Sequence, residues 1–87
     1  MKETAGSLSA NTVAVGADVD RQMLVISNNS DTVMTYRPLG TATADIGISV
    51  PAGQAIIFRR SEAKAFCAGA GTLFCAGASK AYSIYES

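Results

Sequence analysis

The sequence predicts an all-β protein: a small antiparallel β-sandwich or barrel of about seven short strands, with an extended N-terminal arm. Short β-type runs recur at a spacing of roughly ten residues and are separated by turn residues, which is typical of sandwiches and small barrels. Apart from a turn at residues 61–65, no window places apolar residues at helical spacing between capping residues. The 87 residues have room for one small domain.

Residues 1–20 form the predicted arm. They are rich in Ser, Thr, Ala, Gly and Asn, and their few apolar residues do not recur at helical spacing. Residues 12–15 are compatible with a short strand, and the rest has the composition of extended chain. Such a segment is either a disordered tail or an arm that docks against a neighbour, and we expect the docked arm.

The predicted sandwich domain spans residues 21–87. Its first two strands, residues 22–27 and 32–37, flank a polar Asn-Asn-Ser-Asp turn, and we expect them to pair as a hairpin. Alternating apolar residues indicate a half-buried strand over residues 44–50. A Pro-Ala-Gly turn then leads to another strand over residues 54–60.

Three further short segments follow, at residues 63–68, 72–76 and 80–86, separated by glycine-containing turns. The sequence Phe-Cys-Ala-Gly-Ala occurs at residues 66–70 and again at residues 74–78. One echo of this length does not establish a repeat architecture. We interpret it as two adjacent strands that obey the same packing rule.

The composition argues against several functional classes. Seven basic and seven acidic residues give a net charge of zero, so the chain lacks the basic field of a nucleic-acid or anionic-membrane binder. Histidine is absent and no serine lies in a Gly-x-Ser-x-Gly motif, so we expect no enzyme activity, no cofactor and no catalytic or metal site. Fifteen residues are alanine, which leaves a thin core that partner subunits would help to stabilise.

Cys67 and Cys75 leave three interpretations open. Both are small buried hydrophobic residues, or they form a disulfide in an oxidising medium, or they ligate a metal shared between chains. The disulfide requires a three-residue loop that sets the two cysteines opposite each other on paired strands. The metal must be shared because a closed zinc site takes four ligands.

One acidic pair and one dispersed set of interface-type residues remain. Asp18 and Asp20 have the spacing of a cation-binding pair, but they lack the further oxygens and the glycine of a calcium loop, so we expect a solvated strand entry. Arginine, tyrosine and the apolar residues of the arm are residue types suited to interfaces. The predicted partner interface consists of Leu8, Val13, Val15, Tyr36, Arg37, Arg59 and Arg60.

Residues 22–86 resemble a broad group of small tailed-bacteriophage virion proteins. The resemblance begins with Ile-Ser-Asn-Asn-Ser at residues 26–30 and Tyr-Arg-Pro-Leu-Gly-Thr-Ala at residues 36–42. It continues with the Pro-Ala-Gly turn at residues 51–53 and ends with the Ala/Gly-rich segment at residues 65–72. It is a pattern of hydrophobic residues and turns, and it carries over no functional residue.

The resemblance implies a β-sandwich structural component of phage particles. We expect a capsid decoration (cement) protein, made in the host bacterial cytoplasm, that binds the major capsid protein and copies of itself at the capsid surface. A homotrimer is one arrangement we consider. The alternatives are a tail, connector or fibre-base component, and a host-surface glycan-binding module that stacks sugars on Tyr36, Tyr82 and Tyr85.

Overall fold

The computed structural model describes residues 2–87 and confirms the all-β class. Eight strands form two four-stranded antiparallel sheets that pack face to face as a sandwich, with one short helix. In this part of the chain neither sheet closes on itself, so the barrel alternative is wrong.

In chain order the elements are β1 (Lys2–Leu8), β2 (Asn11–Val15), β3 (Met23–Asn28), β4 (Met34–Pro38), β5 (Ile48–Val50), β6 (Ala55–Arg59), α1 (Lys64–Ala68), β7 (Gly71–Cys75) and β8 (Lys80–Glu86). The first sheet has the strand order β1-β8-β3-β6, and the second has the order β2-β7-β4-β5. Each sheet therefore takes one edge strand from the beginning of the chain.

The predicted N-terminal arm is wrong. β1 pairs with β8 along its whole length and β2 pairs with β7 along its whole length, so residues 2–15 belong to the sandwich. Leu8 and Val15 are 2% and 4% exposed and lie in the core. Only the short strand expected at residues 12–15 is confirmed. The sequence does not show the apolar-polar alternation of a strand here, because exposed small residues occupy most positions of β1 and β2.

The hairpin expected from residues 22–27 and 32–37 is also wrong. Both strands form, as β3 and β4, but β3 pairs with β6 and β8 whereas β4 pairs with β5 and β7. Buried Asn28 bridges this crossover, because its Nδ2 donates hydrogen bonds to the carbonyl oxygens of Thr32 and Val50, both at 2.8 Å. Its side chain thus connects the end of the first sheet to β5 of the second.

The remaining predictions differ in outcome. The strands expected at residues 54–60, 72–76 and 80–86 are confirmed as β6, β7 and β8. Only Ile48–Val50 of the strand expected at 44–50 forms. The segment expected as a strand at 63–68 instead contains α1, over Lys64–Ala68.

The Phe-Cys-Ala-Gly-Ala echo therefore adopts two structures. Its first copy ends the helix and its second copy ends β7, so the shared-strand interpretation is wrong. A five-residue segment rich in alanine has no decisive preference of its own, and tertiary packing selects its structure.

The core lies between the two sheets and comes from alternate positions of the strands. The rings of Tyr36 and Phe58 are 5.8 Å apart, and Phe66 of α1 meets Phe58 edge-on at 5.8 Å. The buried core side chains are Leu8, Val15, Leu24, Ile26, Met34, Tyr36, Val50, Phe58, Cys67, Leu73, Cys75, Tyr82 and Ile84.

Candidate functional site

A buried arginine organises one end of the sandwich. Arg21 precedes β3 and is only 2% exposed. Its Nε donates to the carbonyl oxygen of Cys67 at 2.5 Å, and its Nη2 donates to that of Gly69 at 2.9 Å. Its Nη1 donates to the carbonyl oxygen of Gly16 at 3.1 Å and to Glu86 Oε1 at 2.5 Å. The guanidinium thus ties the loop before β3 to the end of α1 and to β8.

A shallow cleft beside this arginine contains charges of both signs. It is lined by Lys2, Asp18, Asp20, Arg21, Glu86 and Ser87. Lys2 Nζ lies 3.7 Å from Glu86 Oε2, so two cations face the Glu86 carboxylate. The arginine donors point at backbone carbonyls and this carboxylate, so the arrangement stabilises the fold and does not present a free guanidinium to a ligand.

Asp18 and Asp20 are exposed and form a local turn, as expected for a solvated strand entry. The backbone N–H of Asp20 donates to Asp18 Oδ1 at 3.0 Å. Residues 2–87 contain no group of three or more Cys, Asp or Glu side chains placed to hold a metal ion. The spacing of the two carboxylates therefore reflects an Asx-type turn.

Cys67 and Cys75 are both buried free thiols in this structure. They lie on α1 and β7, so the pair of strands that the disulfide interpretation requires is not formed. Cys67 Sγ donates to the carbonyl oxygen of Arg21 at 3.5 Å. Both residues fill core positions, which is the role expected of small buried hydrophobic residues.

Tyr36 is completely buried, and its hydroxyl has no hydrogen-bond partner among the described residues. The hydroxyl lies above Gly71, where a Cβ atom would come within 2.2 Å of the Tyr36 oxygen. Burial raises the pKa of Tyr36 above its usual value, and the Glu86 carboxylate adds to the rise while Arg21 opposes it.

We expect Tyr36→Phe to keep or raise the free energy of unfolding at pH 7, by up to about 1 kcal/mol, because it removes an unpaired buried hydroxyl. The folded state holds the Tyr36 proton more tightly than the unfolded state does. The raised pKa of Tyr36 therefore adds to the free energy of unfolding below about pH 10, and this addition is lost as the pH rises further. Urea titrations at neutral and alkaline pH measure both effects, with Tyr85→Phe at a half-buried tyrosine as the control. A loss above about 1 kcal/mol at pH 7 would mean that the hydroxyl has a partner.

The residues predicted for the partner interface do not form one surface. Leu8, Val15 and Tyr36 are buried in the core. Val13 is half-buried and packs against the same core, and Arg37 and Arg59 are exposed on different sheets. The half-buried Arg60 donates from Nη1 to the carbonyl oxygen of Val19.

The three tyrosines proposed for sugar stacking are dispersed in the same way. Tyr36 and Tyr82 are 0% and 7% exposed, and only Tyr85 reaches the surface to an intermediate extent. They do not form the open aromatic platform that the glycan-binding alternative requires.

The outer face of the first sheet carries its charged side chains only on its edge strands. Because Leu24, Ile26 and Ile84 point inward, the cross-strand register places the other side chains outward. These residues, which we call the first-sheet face, are Glu3, Ala5 and Ser7 of β1; Ala81, Ser83 and Tyr85 of β8; Met23, Val25 and Ser27 of β3; and Ala55, Ile57 and Arg59 of β6. Only Glu3 and Arg59 are charged, and both lie on edge strands.

Two rows of paired residues cross the first-sheet face. One row consists of Glu3, Tyr85, Val25 and Ile57, and its only charged member, Glu3, lies on the edge strand β1. The neighbouring row is small and consists of Ala5, Ser83, Ser27 and Ala55. Asn29 lies against this second row, because its side chain bonds the hydroxyls of Ser27 and Ser83, both at 2.7 Å. The outward side chains of the two central strands, β8 and β3, are therefore all uncharged, and those in the second row are small.

The outer face of the second sheet is partly covered by the loop of residues 39–47. Thr72 Oγ1 accepts a hydrogen bond from the Ala42 N–H at 2.6 Å and donates to the Gly40 carbonyl at 3.0 Å. Ala42 and outward-facing Thr35 are consequently only 2% and 7% exposed. On the first-sheet face, Ser83 is 6% exposed beneath the Asn29 side chain, whereas Ala55 and Ile57 on the edge strand are exposed.

No protein-family model, curated protein or solved structure matches the chain. Among residues 2–87, no helix is both long enough and apolar enough to span a membrane.

Proposed function

We propose that the chain is a structural protein of a tailed-phage virion, a capsid decoration protein that adheres to the coat protein through the first-sheet face. The sequence resemblance supports the class of particle. The observation that carries the adhesive role is the distribution of charge on the first-sheet face, where the two central strands present no charged side chain and Glu3 and Arg59 lie on the edge strands. An interface that excludes water has few charges at its centre, and this face meets that requirement.

The arrangement of side chains on this face also fits an interface. Apolar Val25 and Tyr85 lie on the two central strands, whereas Glu3 and Arg59 lie on the two edge strands. Protein interfaces have an apolar centre surrounded by a polar rim, because charges remain hydrated only at the periphery. The aromatic ring of Tyr85 is of the type that anchors such contacts.

The size of the face indicates how it would work. Four strands about 4.8 Å apart, each contributing about five residues of about 3.4 Å, give a face of roughly 19 by 17 Å. That is roughly 300 Å², whereas a stable interface buries about 800 Å² on each partner. A single copy therefore binds weakly, and connected copies on a repetitive lattice gain affinity through multivalency.

Val25→Lys tests this function, because a lysine at the centre of the face would be desolvated without a partner on binding. We expect at least a tenfold loss in affinity for particles assembled without the chain, measured by co-sedimentation of the purified protein. Thr12→Lys is the matched control, since Thr12 is exposed and faces outward on the second sheet. Unchanged binding of Val25→Lys, or a loss only with Thr12→Lys, would reject the first-sheet face as the contact surface.

A further inference from the structure

The outer edge of β1 is an open seven-residue strand edge. β1 pairs with β8 in continuous register from Lys2 to Leu8, without a bulge. Every residue of β1 before Leu8 is exposed, and the strand contains no proline. Its charges are confined to Lys2 and Glu3 at one end, so the stretch from Thr4 to Leu8 is uncharged.

The other three edges are shorter or better protected. β5 has only three residues, and β6 packs against α1 and ends at Arg59 beside Arg60. β2 has five residues, and two of them, Val13 and Val15, are turned into the core. Native sheets protect their edges with short strands, charges, prolines, bulges or covering elements, and most of β1 lacks all of these.

We infer that β1 pairs with β1 of a second copy of this chain, antiparallel about a two-fold axis at Ala5. The strand runs from residue 2 to residue 8, so this register alone lets all seven residues pair. It places Ala5 opposite Ala5, and Glu3 of one copy opposite Ser7 of the other. No like charges face each other, whereas a register centred on Glu3 would oppose two carboxylates.

The pairing would change the first-sheet face in a way that suits the proposed function. Two four-stranded first sheets become one eight-stranded sheet, and the two faces become continuous across the axis. The row of small residues that includes Ala5 passes through the axis, so no bulky side chain interrupts the joint surface. The combined face measures roughly 600 Å², closer to the area of a standard interface. This consequence rests on the proposed function, but the pairing itself is tested on the isolated chain.

Molar mass in solution tests the pairing. At about 1 mM chain, sedimentation equilibrium should give an average mass at least about 1.5 times the monomer mass of 8.9 kDa, because even a Kd of about 1 mM leaves half of the chains paired. Ala5→Lys should return the mass to that of the monomer, because two lysines meet at the axis. The matched control is Ala55→Lys, which makes the same change at an exposed alanine in the same row on the opposite edge strand. An equal mixture of Ala5→Lys and Ala5→Glu should restore the raised mass of the wild type.

A cysteine at the axis tests the register. Directly opposed Cα atoms in an antiparallel pair are about 4.5–5.5 Å apart, within the span of a disulfide. Ala5→Cys should therefore form a covalent dimer under mild oxidation, and Ser7→Cys should not. Cys67 and Cys75 are buried and do not compete. A wild-type chain that stays monomeric, or a dimer that Ala5→Lys leaves intact while Ala55→Lys dissociates it, would overturn the inference.

Discussion

A chain that lacks residues 1–17 is expected to lose cooperative folding. The deletion removes β1 and β2, the edge strands of both sheets, together with the buried side chains of Leu8 and Val15. Truncating one buried leucine to alanine costs about 2–5 kcal/mol, and a domain has only about 5–15 kcal/mol of stability. The loss of both strands therefore approaches the whole stability of the fold. Urea unfolding followed by circular dichroism measures it.

A pair of single substitutions separates this effect from a binding effect. Leu8→Ala should lower the free energy of unfolding by about 2–5 kcal/mol, whereas Ser7→Ala at the adjacent exposed position should change it by less than about 0.5 kcal/mol. A truncated chain that unfolds cooperatively at the wild-type midpoint would show that the two strands are dispensable. If the truncated chain is unfolded, its failure to bind particles is a consequence of unfolding and says nothing about a binding role of residues 1–17.

Arg21→Met should destabilise the protein by about 3–5 kcal/mol. Methionine has an unbranched side chain that replaces the aliphatic stem of arginine. The substitution therefore removes the charge that pairs with Glu86. It also leaves the carbonyl oxygens of Cys67, Gly69 and Gly16 without their donor. Breaking one partner of a buried ion pair has a cost of this size because the remaining groups stay desolvated.

The matched control is Arg59→Met, at an arginine whose side chain is 53% exposed and 4.0 Å from Glu62. We expect a change of less than about 0.5 kcal/mol there. Arg21→Lys should fall between the two, because a lysine keeps the charge but cannot reproduce the fork of donors. Equal unfolding midpoints for Arg21→Met and Arg59→Met would show that the buried network contributes nothing.

The strands that were predictable from sequence have strong local signals. β3, β6 and β8 combine β-branched or aromatic residues with clear turn residues at their ends, so their positions followed from local chemistry. β1 and β2 have mostly exposed small residues, and they become strands because β8 and β7 offer them a free edge. That pairing joins the two ends of the chain, and no local pattern records it.

The side-chain network at the sheet ends was equally inaccessible. Asn28 was interpreted as part of a tight turn, which is where asparagine is common, but its amide bonds Val50 of the other sheet. Nothing in the sequence around Arg21 predicts that it is buried, because it is a single arginine in a polar segment. Its burial depends on carbonyl groups that residues 67–69 bring to it from more than forty positions away.

The first-sheet face illustrates a related difficulty. Alternation within β8 was visible in the sequence, but a face also requires the order and register of the strands. Val25 lies beside Ile57 and Tyr85 only because β3 is placed between β6 and β8. Residue type alone instead indicated tyrosine and arginine, and Tyr36 proved to be a core residue.

Imaging of purified phage particles that contain this chain, combined with counting of its copies per particle, tests the central claim most directly. We expect hundreds of copies on the outside of the head, each a two-sheet sandwich whose Val25 and Tyr85 face the coat protein. A few to tens of copies located on the tail would contradict a decoration role. Absence of the chain from purified particles would contradict a virion role altogether.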